Sequence, residues 1–397
     1  MYKKARLSEV GQIISGATPS TKIPENYDGD IAWITPADLS GYSFKYISHG
    51  ARNITQIGYD SCSTKLMPKG TVLFSSRAPI GYVAIAENPI CTNQGFKSIV
   101  PNSEINSEFL FYQLRYLRKV IQDMGSGTTF KEISAKTMGQ VEIVVPALQE
   151  QAHIVSRIEE LFSELDKGAE TLQTIKQQLT VYRQAVLMEA FSSKDRCCRL
   201  KEISKAISGY AFKSKKYTPN GEYVVVKIGN VKQGYFDFSR DLTRTNEVDE
   251  NILSKFLLRR GDCLITLTGS RGKRDYGFVS TIDEQTNFLL NQRVAALRFN
   301  KKIALPEFYK YYLSSFDYRN QFFSYETGNV GQGNVGIKAL TEPIVVCPTI
   351  EQQRRIVNRI ESRLSICDSI EQTVDKALTQ AEAMRQSILK KAFEGKL

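Results

Sequence analysis

The sequence has 397 residues, more than one ordinary core of roughly 100 to 200 residues, and so points to two domains with connecting material. Hydrophobic residues make up 42% and charged residues 24%, the balance of a folded globular chain, and no apolar run reaches the ~18 residues that a membrane span needs. Lys and Arg outnumber Asp and Glu by 53 to 42, and the net charge of +11 favours an anionic partner, nucleic acid first. Seven cysteines without C-x-x-C spacing and only two histidines, His49 and His153, speak against a disulfide framework and against structural zinc. The start, Met1 to Arg6, leads into polar sequence rather than an apolar leader, which predicts a cytoplasmic protein with no membrane contact.

Residues 1–146 read as a mostly-β globular segment, with strand-like runs at 71–74, 81–85 and 141–145 bounded by Gly, Pro and Asn. One short aromatic helix is predicted inside it at 108–121. A long helix follows at 147–191, where there is no Pro and a single Gly. Its apolar residues fall at 154, 158, 161, 165, 172, 175, 179, 182 and 186, a heptad seam broken only at Gly168. Residues 192–347 hold a linker and a second globular segment from 199, with a strand-like run at 263–267 and a short helix at 307–316. A second long helix takes 348–397, its seam running through Ile356, Ile360, Cys367, Ile370, Val374, Ala377, Ala381, Met384 and Ile388.

The chain is written twice. Pro146-Ala147-Leu148-Gln149-Glu150-Gln151 returns as Pro348-Thr349-Ile350-Glu351-Gln352-Gln353 at an offset of 202, and the same offset carries Asp166, Arg183 and Phe191 onto Asp368, Arg385 and Phe393. The globular segments repeat more loosely: Ser15-Gly16, Gly81, Asn93-Gln94 and Phe109 meet Ser208-Gly209, Gly277, Asn291-Gln292 and Phe308 at offsets between 193 and 199. A 45-residue helix is ~67 Å long, far more than the short linker spans, so the second helix must run back along the first. The resulting fold is α+β: two mostly-β domains at opposite ends of an antiparallel two-helix coiled coil, related by a pseudo-twofold repeat.

Four basic and seven acidic residues in 147–191, and nine and seven in 348–397, leave the helices at −1 together. The remaining surplus of about +12 therefore lies in the globular segments and linkers, where phosphates would be met. Arg271, Lys273 and Arg274 crowd into a glycine-bearing loop with Tyr276, and Ser76 and Arg77 occupy the shorter counterpart in the first segment. Asn93-Gln94 and Asn291-Gln292, the latter followed by Arg293, have the chemistry for adenine edges, although their recurrence in both copies argues for a structural role. Ser126 and Thr128 in one glycine-rich run, and Asn329, Gln332 and Asn334 in the other, would bring bare backbone close to a phosphate. No P-loop, methyl-donor motif, metal cluster or catalytic constellation stands out.

These features, with the proline-led helix openings at 146 and 348 and the ending Ala392-Phe393-Glu394-Gly395-Lys396-Leu397, resemble the DNA-specificity subunit of type I restriction-modification enzymes over the full chain. The resemblance implies target-recognition domains at 1–146 and 199–347, each reading one half of a split double-stranded DNA site. It implies that the long helices hold the two readers apart and dock two methyltransferase subunits, with restriction and translocase subunits in the full complex. S-adenosylmethionine, ATP and Mg then belong to those partners, and this chain has no cofactor, metal or catalytic residue of its own. A coiled-coil scaffold that binds proteins alone, and a stand-alone nuclease with an unrecognised site, remain open from the residues.

Overall fold

A computed structural model describes residues 2–77, 79–127, 131–192, 197–239, 242–246, 248–283, 287–328 and 331–397. The chain folds into two units, Met1–Leu172 with Asp375–Leu397, and Gln173–Val374. Among the described residues no helix is long and apolar enough to cross a membrane.

In the first unit Lys4–Arg6 pairs antiparallel with Glu142–Val144, zipping together the two ends of the globular segment. Its main sheet has the order Gly11–Ser15, Lys97–Pro101, Val72–Phe74, Val83–Ala86, Tyr46–Ile47, antiparallel except for the last pair. Val72, Leu73 and Phe74 are wholly buried, which is why this strand reads as a continuous apolar run rather than an alternating one. Where one helix was expected at 108–121 there are two, Ser107–Tyr116 and Arg118–Asp123, because the backbone flattens to ψ 0° at Leu117. Asn106 starts the first of them, its side chain accepting from the N–H groups of Glu108 and Phe109 at 2.8 and 3.1 Å.

The second unit repeats the plan. Cys197–Arg199 pairs with Ile344–Val346, and a four-stranded sheet runs Ser204–Ser208, Val294–Phe299, Cys263–Thr266, Val279–Thr281. The helix expected at 307–316 is again two, Pro306–Tyr312 and Phe316–Ser324, the second begun by Ser315, whose hydroxyl accepts from the Tyr318 N–H. Smaller three-stranded sheets complete it: Arg244–Thr245 with Tyr223–Val226 and Phe288–Leu290, and Thr268–Ser270 with Gln332–Val335 and Glu326–Thr327.

The long helices are continuous, Leu148–Ala190 and Ile350–Phe393. Within each unit the start of one lies beside the end of the other, so they pair antiparallel. In the first unit Ile154, Ile158 and Phe162 share a core with Leu389, Ala392 and Phe393. In the second, Val357 and Ile360 share one with Val186, Leu187 and Phe191. Phe393 meets Phe109 edge-on at 5.3 Å and its repeat-mate Phe191 meets Phe308 edge-on at 5.5 Å, so each domain core is finished by the tail of the helix that begins at the other domain's end of the sequence. Arg183 pairs with Asp368 at 2.7 Å and Glu371 at 2.9 Å, and Arg385 pairs with Asp166, the same contact moved by 202 residues in both partners. These arginines correct the predicted seam. Tyr182, Ile370 and Met384, read as inward positions, are 41%, 39% and 54% exposed; Tyr182 still reaches the facing helix, its hydroxyl accepting from Arg363 at 3.1 Å, while beside Met384 it is Arg385 that leans across, to Asp166.

The glutamine that recurs in both openings has a structural explanation. Gln151 and Gln353 are fully buried. The Gln151 amide donates to the carbonyls of Glu104 and Pro146 at 2.9 and 2.8 Å and accepts from the Asn106 N–H at 2.8 Å. Gln353 donates to Ile303 and Pro348 and accepts from the Leu305 N–H, each at 2.8 Å. Each amide therefore satisfies three buried backbone groups at once, clamping the domain onto the first turn of its helix.

Candidate nucleic-acid interface

In both units three segments that are far apart in sequence converge on one face. The first is the turn carrying Asn93-Gln94 or Asn291-Gln292; the second is the stretch that follows the buried central strand; the third is the glycine-rich run. In the first unit the Ser76 N–H donates to the Gly95 carbonyl at 2.7 Å and the Ile133 N–H to the Ser76 carbonyl at 3.0 Å. In the second the Leu267 N–H donates to the Arg293 carbonyl at 3.0 Å and the Val335 N–H to the Leu267 carbonyl at 2.9 Å. Bridges Arg77–Glu132 and Ser126–Glu132 in the first unit correspond to the pairings Thr268–Asn334 and Thr327–Asn334 in the second. Arg77 therefore stands where Thr268 does, and the cationic loop of the second unit is extra chain beyond that point.

The turns show which candidate residues can reach a ligand. The Asn93 side chain accepts from the Gly95 N–H at 2.9 Å, and that of Asn291 faces the Arg293 N–H at 3.5 Å, so both asparagines shape the turn; Asn291 is only 6% exposed. Gln94, Gln292 and Arg293 are exposed. The recurring glycines belong to the same device. A Cβ on Gly16 would stand 2.1 Å from the Thr92 carbonyl and one on Gly209 1.9 Å from the Asn291 carbonyl, so only glycine lets the turn close on the first sheet strand.

Ser76 is buried, as its counterpart Leu267 nearly is, and supports the strand instead of facing solvent. Arg77 is half-exposed and lies 3.9 Å from the Glu132 carboxylate. The same carboxylate takes Lys97 at 3.5 Å, a side chain 10% exposed that sequence reading passed over; its position holds Ala295 in the second unit, so no repeat signal marked it. Ser126 is exposed, its backbone paired to Glu132. Thr128 and Asn329 lie outside the described residues.

In the second unit the strand Gln332–Val335 alternates exposed and buried, presenting Gln332 and Asn334 outward beside the cationic loop. Gly333 must be glycine because a Cβ there would lie 2.3 Å from the Tyr276 hydroxyl. Tyr276 is itself fully buried, its hydroxyl donating to Glu326, and it offers no surface to a ligand. Burial, then the Glu326 carboxylate, pushes the Tyr276 phenol well above its ordinary range. Arg271 lies 3.6 Å from Glu326 and donates to the Gly328 carbonyl at 3.1 Å, tying loop to hairpin. Arg274 adopts φ 48° and stacks on the Phe323 ring at 4.8 Å. Lys273 is exposed, and neither it nor Arg293 has an ion pair with a described residue. The backbone N–H of Ser270, then its hydroxyl, with Lys273 nearby, hold the Asp275 carboxyl below the usual carboxylate range.

Arg319 was not singled out from the sequence, although Arg118 sits near the same place in the first repeat. Its guanidinium donates to the carbonyls of Gly277 at 2.9 Å and of Arg274 and Tyr276 at 3.3 Å, fixing the base of the loop. Burial and then the charge of Arg274 lower its pKa. Gly277 at φ 70° and Gly81 at φ 103° mark the equivalent turns, with Arg118 packed over Gly81 as Arg319 is over Gly277. Among the described residues no group of His, Cys, Asp and Glu is arranged to hold a metal ion.

A family model described as the type I restriction modification DNA specificity domain matches residues 1–179 and 197–380. The type I restriction enzyme MjaIX specificity subunit of Methanocaldococcus jannaschii is 44% identical over 179 residues, 44% of this chain but only 41% of that protein. The EcoKI specificity subunit of Escherichia coli is 27% identical over 359 residues, 84% of this chain and 76% of that protein. In fold, the chain resembles one solved in a study of complex assembly and conformational transition of the type I R-M system, with TM-score 0.76 at 19% identity over 100% of this chain and 98% of the other. The HsdS subunit from Thermoanaerobacter tengcongensis follows at TM-score 0.57 and 20% identity, over 100% and 97%.

Proposed function

The chain belongs to the type I restriction-modification DNA-specificity family, and on that premise we propose that it reads a split double-stranded DNA site, one half through each unit. The observation that carries the reading is the double convergence: an equivalent framework in each unit presents an exposed glutamine turn, a strand extension and a glycine-rich hairpin on one face, with different side chains at equivalent points. Arg77 against Thr268 and Lys97 against Ala295 are the differences that two readers of unlike sequences require. Arginine matches guanine edges and glutamine or asparagine adenine edges, while lysines and hairpin amides hold phosphate. Two linked half-site contacts then act as one event whose strength depends on spacing.

The paired helices dock two methyltransferase subunits, and restriction and translocase subunits join the full complex in the cytoplasm. Methylation from S-adenosylmethionine and ATP- and Mg-dependent cleavage belong to those partners; this chain is the noncatalytic reader. A genome-wide map of methylated adenines, in cells carrying the methyltransferase with and without this chain, tests the proposal. A two-part motif appearing only with the chain is expected. Methylation of an undivided motif regardless of the chain would refute it.

A further inference from the structure

Three charged side chains meet at the reading face of the first unit. Arg77 and Glu132 stand opposite one another in an antiparallel bridge, so their side chains leave the same face as direct cross-strand neighbours. Their backbone is fixed: the Glu132 N–H donates to the Ser126 carbonyl at 2.9 Å, the Ser126 N–H to the Glu132 carbonyl at 3.0 Å, and the Ile133 N–H to the Ser76 carbonyl at 3.0 Å. One oxygen of the Glu132 carboxylate, Oε2, faces Nη1 of Arg77 at 3.9 Å, and the other, Oε1, faces the Lys97 ammonium at 3.5 Å. The same ammonium donates to the Ser76 hydroxyl at 3.5 Å and to the Gln94 carbonyl at 3.4 Å. Lys97 therefore touches all three converging segments: the glutamine turn, the strand extension and the glycine-rich hairpin.

Burial separates the roles. The Lys97 side chain is 10% exposed, too deep to hold phosphate, whereas those of Arg77 and Glu132 are 36% and 43% exposed. A buried ammonium is destabilising without a counter-charge, and Glu132 is the carboxylate that supplies it. Two cations around one carboxylate leave the cluster positive, so the carboxylate can face DNA without the group repelling phosphate. No described donor hydrogen-bonds to the Glu132 carboxylate, which keeps acceptor capacity for a ligand. An arginine beside a carboxylate matches one base pair: the guanidinium donates to O6 and N7 of guanine, and the carboxylate accepts from the N4 amino group of the paired cytosine. In the second unit all three places change together. Thr268 stands for Arg77, Asn334 for Glu132, and Ala295, paired to Ser208 as Lys97 is to Ser15, for Lys97. The equivalent backbone closes there without any of the three charges, so the framework does not need them and they act as a unit on what is read.

We propose that Arg77 and Glu132 read one G·C pair of the first unit's half-site, with Lys97 the positioning residue that holds the Glu132 carboxylate in place. This rests on the split-site reading above. The methylation map of the wild-type chain supplies the motif. Competition binding by the full chain with its methyltransferase, on duplexes substituted one pair at a time, then reads Glu132→Gln, Arg77→Lys and Lys97→Met, alongside the melting temperature of each purified chain. All three variants should lose discrimination at the same G·C pair by about fivefold or more, with the other half-motif unchanged. Lys97→Met keeps the buried stem and removes only the charge, and melting should change little because the second unit carries Ala295 at this place. Loss of discrimination at an A·T pair, at three different pairs, or at none overturns the proposal while sparing the split-site reading. A Lys97→Met chain that melts lower yet keeps its G·C requirement overturns the positioning role and leaves Lys97 a structural support. A wild-type chain that yields no chain-dependent two-part motif overturns the reading on which the proposal rests.

Discussion

Replacing Arg271, Lys273 and Arg274 by Ala removes the loop's three cations, and the structure sets how much each should matter. A phosphate contact contributes about 0.9 to the slope of log affinity against log salt, so three equal contacts would contribute about 2.7. They are not equal. Arg271 is half-committed to Glu326, whose side chain is 10% exposed, and to the Gly328 carbonyl, so its charge is largely compensated before DNA arrives. Lys273 is exposed, and Arg274 keeps its guanidinium near the surface of Phe323. The expected loss is thus about 1.8, from Lys273 and Arg274. Between 50 and 200 mM salt that corresponds to about a twelvefold difference: wild type should weaken about twelve times more than the variant over that range. Fluorescence anisotropy with a labelled duplex at four salt concentrations measures it. An unchanged slope would remove this loop from the interface, and a loss near 2.7 would show that Arg271 abandons Glu326 on binding.

Other expectations concern the framework. Gln353→Ala strands three buried backbone groups, each worth about 1 kcal/mol or more; scanning calorimetry should show melting lowered by about 6 °C or more, and a fall under about 2 °C would mean water replaces the amide. Gly209→Ala puts a Cβ 1.9 Å from the Asn291 carbonyl, so the turn must move; affinity for the half-site read by the second unit should drop with the other half-site unaffected, which half-site duplexes can check. Arg183→Ala and Arg385→Ala remove equivalent cross-helix ion pairs that are partly exposed and should each cost about 1 kcal/mol or less in denaturant titrations. Values differing by more than about 1 kcal/mol would show that the repeat is not energetically symmetric.

Periodicity made the architecture legible, because burial on a helix face and in a sheet core leaves patterns that survive in the residues themselves. The two long helices, the strands at 71–74 and 263–267, and the pairing of Asp166 with Asp368 across the repeat were all visible there. The seam is exposed at 182, 370 and 384, and beside Met384 the reason is physical: pattern reading sorts apolar from polar, and it assigns an arginine outward even when its stem packs and its head reaches a carboxylate on the facing helix, as that of Arg385 does. The short helices were each read as one because Leu117 and Ser315 carry only weak break signals. The candidate residues were separately visible, yet their convergence was not, since the backbone pairings Ser76–Gly95 and Leu267–Arg293 join segments with no local sequence mark. Tyr276 looked like a ligand contact by proximity to cations and proved to be the buried post on which Gly333 and Glu326 rest.

The division of labour among equivalent positions follows from these contacts. Where the two units agree, the residue serves the backbone: Gln151 with Gln353 and Asn93 with Asn291 bond to it, Gly16 with Gly209 lets it approach, and Arg118 with Arg319 packs over the same turn. These contacts depend on backbone geometry, which both copies must keep if the helices are to be capped and the turns closed. Where they differ, at Arg77 against Thr268, Lys97 against Ala295, and at Lys273 and Arg274 of the extra loop, the side chains sit on or directly beneath the exposed face. A change there leaves the framework hydrogen bonds untouched and alters only the pattern of donors and acceptors offered outward. The scaffold therefore separates folding from reading: sequence can drift on the face at small cost in stability, as surface substitutions generally do, while each unit keeps the same means of attachment to its helix. That separation is what a reader of varied DNA sites needs, and it accounts for a repeat kept in register along the helices and loosened in the domains they carry.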